Sequence, residues 1–92
     1  MKILITGSRL WKDIEAIERC LYFIGNLSKT KPIIIHGGAK GADSIAGDLA
    51  HSMGFEVICC PADWKNHGKL AGIIRNENML KQENPDFVVA FP

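Results

Sequence analysis

The sequence predicts a Rossmann-like α/β fold, a three-layer α/β/α arrangement in which helices cover both faces of a short parallel sheet. Two observations predict it. Four short apolar runs alternate with stretches of helical periodicity, which is the pattern of βαβ units. Glycine-rich turns follow the first two apolar runs, at the carboxyl edge of the sheet where folds of this class bind ligands. Right-handed crossovers then favour the strand order 3-2-1-4.

The four predicted strands are short runs of β-branched and other apolar residues. They cover residues 3–5, 33–35, 55–60 and 87–91. Gly7 ends the first run and Pro61 stops the third. No internal repeat, linker or low-complexity segment lies between them, so we expect residues 1–92 to form a single domain.

The first two helices are predicted from apolar residues that recur at helical spacing. Asp13 is the expected N-cap of the first helix, and Gly25-Asn26 together with residues 28–32 is expected to close this unit. The apolar residues that repeat in it are Ile14, Ile17, Leu21 and Ile24. The second helix is predicted over residues 42–53, since Gly54 follows where a C′ glycine belongs.

A third helix is predicted over residues 70–82, after a polar loop that contains Trp64. Its apolar residues expected to face the sheet are Leu70, Ile73, Ile74 and Leu80. Trp64 admits two interpretations, a ring that stacks on a ligand and a hydrophobic plug over the core. Arg75 and Asn76 lie early in this helix, and the pattern alone favours a solvent-exposed arginine.

Composition and charge exclude several classes of protein. The formal net charge is +1 with acidic and basic residues interleaved, so no long nucleic acid is expected as a partner. No apolar run reaches transmembrane length and no signal peptide is visible, so we expect a cytoplasmic protein without a membrane partner. Cys20, Cys59 and Cys60 lack metal-ligand spacing and are predicted to be free, buried thiols. No metal and no cofactor is predicted.

The stretch from His36 to Asp43 indicates an anion-binding loop. It joins the second strand to the second helix and contains Gly37, Gly38 and Gly41. Glycines let the backbone approach a ligand, and a helix N-terminus favours phosphate. A tight connection without a ligand is the alternative, because the loop is neither a Walker A motif nor a GxGxxG fingerprint.

Other candidate residues lie at the same predicted edge. Ser8 and Arg9 follow Gly7 after the first strand and suit a phosphate. His36 is either a ligand contact or a hydrogen-bonded core histidine. Asp43 more often completes the first turn of its helix than contacts a ligand.

Several blocks, in order along essentially the whole chain, resemble the YspA-type branch of the SLOG superfamily, which includes the DprA/Smf proteins and the Lonely Guy phosphoribohydrolases. The blocks are TGSR at 6–9, HGGAKGAD at 36–43, PADW at 61–64, RNENM at 75–79 and PD at 85–86. The resemblance implies a nucleotide-binding domain. The residues that it places around the ligand are Gly7, Ser8, Arg9, Gly37, Gly38, Gly41, Trp64, Arg75 and Asn76. The candidate set is completed by His36 and Asp43, which lie in the same loop.

The preferred hypothesis is binding of a nucleotide derivative, either ADP-ribose-like or a cyclic nucleotide, by a sensor or sequestering module, because such a ligand offers phosphate to the glycine-rich loops and a ring to Trp64. One alternative is a phosphoribohydrolase that cleaves the N-glycosidic bond of a nucleoside monophosphate, with Arg75 as the catalytic arginine. Another is a non-catalytic interaction domain. Relatives continue into a further glycine-rich loop that carries a catalytic glutamate, whereas this sequence stops at Pro92. The fourth strand is therefore expected at an exposed apolar edge that favours a homodimer or higher homo-oligomer.

Overall fold

A computed structural model describes residues 1–92 and contains one sheet of four parallel strands in the order β3-β2-β1-β4. The predicted fold class and strand order are confirmed. The elements are β1 (Lys2–Gly7), α1 (Ile14–Leu27), β2 (Ile33–His36), α2 (Ala42–Ser52), β3 (Glu56–Cys59), α3 (Trp64–His67), a 3₁₀ turn (Gly68–Leu70), α4 (Ala71–Asn78), a π-helical turn (Met79–Glu83) and β4 (Phe87–Phe91). None of the helices has the length and apolar composition needed to cross a membrane.

The larger core lies between the sheet and the helices α1 and α2. It contains ten buried apolar residues, among them Ile5 of β1, Ile17 and Leu21 of α1, and Ala46 of α2. All four of these side chains are completely buried. Burial of apolar surface on this side is therefore the main contribution to the stability of the fold.

The opposite face of the sheet is covered by the segment that follows β3. Its core contains only three buried residues, Leu4, Ile35 and Met79. Met79 belongs to the π-helical turn that continues α4. The helices therefore lie on both faces, but the two faces bury very different amounts of apolar surface.

Helix α1 begins at the predicted N-cap and continues through Gly25-Asn26 as far as Leu27, directly before residues 28–32. The Asp13 carboxylate accepts a hydrogen bond from the Ala16 N–H at 3.1 Å, which confirms the N-cap. Ile14, expected on the apolar stripe, is exposed. Gly25 lies inside the helix. A Cβ atom at Gly25 would lie 3.0 Å from the Phe55 ring, so this glycine admits an aromatic side chain against α1.

The segment predicted as one helix over residues 70–82 is divided into three parts. Three of the four side chains predicted to face the sheet are exposed instead, namely Leu70, Ile73 and Leu80. Ala71 and Met79 are buried in their place. The prediction assumed a uniform helical repeat, whereas the 3₁₀ turn before α4 and the π-helical turn after it change the angular position of each following side chain.

The three cysteines are free thiols, as predicted. Cys20 and Cys60 are half-buried, and burial raises the pKa of both thiols. The prediction of a buried thiol is wrong for Cys59, which is exposed. The reason is that β3 is an edge strand of the sheet, so its residues are covered less completely than those of the central strands.

Candidate functional site

Three loops meet where the parallel strands end, and the first of them is tied to its neighbours by Ser8. The Ser8 N–H donates to the Phe91 carbonyl of β4 at 2.8 Å. The Ser8 carbonyl accepts hydrogen bonds from the Trp11 N–H and the Ala42 N–H, both at 3.2 Å. The loop after β1 is therefore joined directly to the first residue of α2. Its backbone holds the two glycine-containing loops side by side.

The loop between β2 and α2 is braced by two buried polar side chains. The Gly37 N–H donates to the Asp43 carboxylate at 3.0 Å, and the Gly38 N–H donates to Nδ1 of His36 at 3.0 Å. Asp43 is 4% exposed and His36 is 8% exposed. A buried donor or acceptor left without a partner costs about 1–3 kcal/mol, so these two hydrogen bonds define the conformation of the loop.

His36 is held as a neutral imidazole. Its Nδ1 accepts the Gly38 hydrogen bond, so the ring proton is on Nε2. Desolvation by burial lowers the pKa of His36, and the Arg75 guanidinium acts in the same direction, while the Asp43 and Asp48 carboxylates oppose the shift. Helix α2 passes close to the ring, since a Cβ atom at Gly47 would lie 2.5 Å from Nε2.

Arg75 reaches from α4 to the same loop. Its Nη1 donates to the Gly37 carbonyl, and its Nε donates to the Asn76 side-chain oxygen at 2.8 Å. Gly37 therefore has its N–H bound by Asp43 and its carbonyl bound by Arg75. The solvent-exposed arginine that the helical pattern favoured is not what the structure contains, because the side chain is half-buried against the loop.

The rest of this loop keeps its backbone donors free. The N–H groups of Ala39, Lys40 and Gly41 donate to no atom of the chain. They precede the first turn of α2, whose aligned peptide dipoles place partial positive charge at this end. Free N–H groups at the start of a helix are the usual protein ligands of a phosphate or other oxyanion.

A cleft of about 450 Å³ opens beside these donors and is lined by Arg9, Ala39, Lys40 and Trp64. The Arg9 guanidinium carbon lies 5.7 Å from the centroid of the Trp64 ring, within the range of a cation–π interaction. Trp64 is 51% exposed. It therefore does not plug the core, which was one of its two interpretations.

The position of Trp64 depends on the short helix α3, where a polar loop was predicted. The Asp63 carboxylate accepts from the Asn66 N–H at 3.2 Å and from the Asn66 side-chain amide at 2.7 Å. These hydrogen bonds lower the pKa of Asp63 and make it the N-cap of α3. An aspartate directly before the tryptophan was the available signal.

The structure distributes the predicted site residues between the cleft and its support. Arg9 and Trp64 line the cleft, whereas His36, Asp43 and Arg75 shape the loop behind it. The predicted residues that do not line the cleft are Gly7, Ser8, His36, Gly37, Gly38, Gly41, Asp43, Arg75 and Asn76. Ala39 and Lys40 were missed as cleft residues, although their place between Gly38 and Gly41 was a usable signal. No group of three or more histidine, cysteine, aspartate or glutamate side chains is arranged to hold a metal ion.

Comparison with known proteins agrees with the resemblance of the sequence blocks. The family model described as "YspA, cpYpsA-related SLOG family" matches residues 1–67. The "Gene 61 protein" of Mycobacterium phage D29 is 42% identical over 96 aligned residues, which cover 99% of this chain and 76% of the phage protein. No solved structure matches the chain. The family match includes both glycine-containing loops and Trp64, and the chain therefore belongs to the YspA, cpYpsA-related SLOG family.

Proposed function

We propose that this protein binds a nucleotide derivative in the cleft between the β2–α2 loop and α3, and that it acts as a sensor or sequestering module. The observation that carries the proposal is the set of free N–H groups of Ala39, Lys40 and Gly41 beside a cleft lined by two cations and a half-exposed tryptophan. A phosphorylated ligand with an aromatic base presents the complementary groups.

The charges around the cleft favour an anionic ligand. Arg9 and Lys40 are the charged side chains that line it. A guanidinium binds phosphate oxygens in a bidentate manner, and an ammonium adds a mobile point charge. Together with the N-terminus of α2, they match a ligand that carries one or two phosphate groups, such as ADP-ribose or a cyclic nucleotide.

Trp64 supplies the contact for the ring of the ligand. Its half-exposed indole borders the same cleft, and stacking of a base on an aromatic side chain contributes about 1–3 kcal/mol.

The geometry supports binding better than hydrolysis. Arg75, the residue expected to be catalytic in a phosphoribohydrolase, is engaged with the Gly37 carbonyl. Asp43 is buried and accepts from the Gly37 N–H. In this arrangement both side chains bind the loop backbone and not a substrate. Cleavage of an N-glycosidic bond is therefore the second candidate function.

Isothermal titration calorimetry against ADP-ribose, AMP, cyclic AMP, ribose and inorganic phosphate tests the proposal. We expect at least one phosphorylated nucleoside to bind, ribose alone not to bind, and affinity to fall as salt concentration rises. We expect Trp64→Ala to weaken binding about tenfold or more, through the lost stacking contact. Arg9→Ala and Lys40→Ala are expected to weaken it because a charge-assisted contact to phosphate is lost.

Two matched variants serve as controls. Tyr22→Ala removes an aromatic ring of similar exposure from α1, and Lys29→Ala removes an exposed lysine from the loop before β2. Neither residue lines the cleft, so both variants are expected to bind as the unchanged protein does. A folded protein that binds no member of the panel, or equal weakening by Trp64→Ala and Tyr22→Ala, would contradict the proposal.

A further inference from the structure

The outer edge of β4 carries backbone groups without partners. β4 is the last strand of the sheet beyond β1, and the Phe91 carbonyl accepts from the Ser8 N–H, so the backbone groups of Phe91 face β1. Because these groups alternate in direction along a strand, the N–H and C=O groups of Val88 and Ala90 face outwards. Each copy of the chain offers two donors and two acceptors at this edge.

An apolar groove of about 380 Å³ runs beside this edge, between α1 and β4. Every residue that lines it is apolar, including Phe23 and Leu27 of α1 and Phe87 and Val88 of β4. Each of these four side chains is more than half exposed. Exposed edge strands are normally protected by lysine, proline, a bulge or a covering segment, and the β4 sequence FVVAF contains neither lysine nor proline.

We propose that a second copy of this chain covers the edge and the groove, by antiparallel pairing of β4 with β4 across a two-fold axis at Val89. In this register Val88 of one copy lies opposite Ala90 of the other, and each such pair exchanges two hydrogen bonds. The two pairs satisfy all the outward-facing groups of both copies. Such an interface is isologous, since both copies use the same surface, and assembly therefore stops at the dimer.

Other registers satisfy fewer groups. With the axis at Val88, Ala90 would lie opposite Asp86, whose N–H already donates to the Lys2 carbonyl at 2.8 Å. With the axis at Ala90, Val88 would lie opposite Pro92, which has no N–H. In the first of these registers the Ala90 carbonyl has no free donor, and in the second the Val88 carbonyl has none. Only the axis at Val89 pairs every outward carbonyl of this strand with a free N–H group.

The chemistry of the surface also matches a second copy. The strand and the groove present no charged side chain, so an occupant with charges at these positions would bury them without partners. The β4 strand of a second copy is uncharged. The same two-fold axis places Phe87 of one copy opposite Phe91 of the other, on the α1 side of the sheet. The exposed ring of Phe87 is then covered by the second copy.

Sedimentation velocity and light scattering on the 92-residue chain test this interface. We expect a dimer of the 10.1 kDa chain that dissociates on dilution. Val88→Lys and Ala90→Glu are each expected to raise the dimer dissociation constant about tenfold or more, because each one places like charges near the axis and removes an apolar contact. The double variant V88K/A90E is expected to restore the dimer, since each new ammonium lies opposite a new carboxylate of the second copy.

Tyr22→Lys is the matched control, because it introduces the same charge at a similarly exposed position of α1 outside the groove. It is expected to leave the dimer unchanged, and far-UV circular dichroism confirms that each variant is folded. A monomer at millimolar concentration overturns the proposal. A dimer that persists in Val88→Lys, or a double variant that stays monomeric, also overturns it, and so does an open-ended assembly.

Discussion

His36 illustrates how a single buried side chain controls the conformation of the anion-binding loop. Its Nδ1 accepts from the Gly38 N–H, and this contact requires that Nδ1 carry no proton. A protonated ring would place two N–H groups face to face and would also add a charge to a buried position. The hydrogen bond and the lowered pKa therefore have one structural origin.

We expect the protein to become less stable as the pH is lowered, because His36 becomes protonated. Burial lowers its pKa in the folded state below the ordinary value of 6.5, so the unfolded chain binds more protons in this range. Its contribution to the free energy of unfolding is complete above about pH 6.5 and decreases as the pH falls towards the folded-state pKa. Urea unfolding between pH 8 and pH 5 measures this decrease, which should be smaller in His36→Gln.

A second measurement separates this effect from the titration of other groups. Long-range ¹H–¹⁵N spectra of the folded protein at pH 8 should show His36 with its proton on Nε2. A proton on Nδ1, or a His36 ring that titrates above 6.5, would contradict the assignment.

At the scale of the elements, the entry into α2 depends on the close approach of two loops. Gly41 has φ +79° and ψ −129°, a backbone conformation that is almost restricted to glycine. A Cβ atom there would collide with the Ser8 carbonyl and would lie 2.6 Å from the Arg9 carbonyl. The Ala42 N–H donates to that same Ser8 carbonyl, so the missing side chain permits the hydrogen bond that joins the two loops.

Gly41→Ala is therefore expected to destabilise the protein by about 3 kcal/mol or more, from backbone strain together with steric overlap. Gly68→Ala is the matched control. Gly68 has a similar conformation, φ +55° and ψ −133°, but no atom lies within 4 Å of its Cβ position. Its alanine variant should lose only about 1–2 kcal/mol. Equal losses in urea unfolding would show that the contact between the loops is not tight.

At the scale of the whole molecule, the two faces of the sheet differ in stability. The core cluster on the side of α1 and α2 contains ten buried apolar residues, whereas the cluster on the side of α4 contains three. Segments with few buried contacts open locally at lower free energy than the rest of a fold. The α3–α4 side carries Trp64 and Arg75, so we expect the half of the site that meets the ligand ring to be the more mobile half.

Native-state hydrogen exchange measures this difference. Amides of α4 (Ala71–Asn78) are expected to exchange through local opening at a lower free energy than amides of α1. Met79→Ala should lower the opening free energy of α4 by about 2 kcal/mol or more and leave α1 almost unaffected, whereas Ile17→Ala should lower global stability by about 2–5 kcal/mol. Equal protection of α1 and α4 would show that the molecule opens as one unit.

The alternation of apolar runs and periodic stretches was enough to predict the sheet, its strand order, α1 with its Asp13 cap, and α2. Local periodicity can be read directly from the order of residues. The handedness of crossovers is a general property of parallel βαβ units and applies once those units are recognised. The boundaries differ by a few residues, because helix and strand ends are set by local hydrogen bonds as well as by pattern. Residues 64–83 were predicted less well, since three changes of helical pitch there leave no constant period to detect.

The sequence by itself determined the fold class, the glycine-containing loops and the residue types available at the carboxyl edge of the sheet. Only the tertiary structure decided which of these groups hold the loop and which remain available to a ligand. Asp43, His36 and Arg75 hold the loop, while the N–H groups of Ala39, Lys40 and Gly41 remain free beside Arg9 and Trp64. Which donor is engaged depends on partners far apart in the chain, such as Gly37 and Arg75, and such long-range pairing leaves no periodic trace in the sequence.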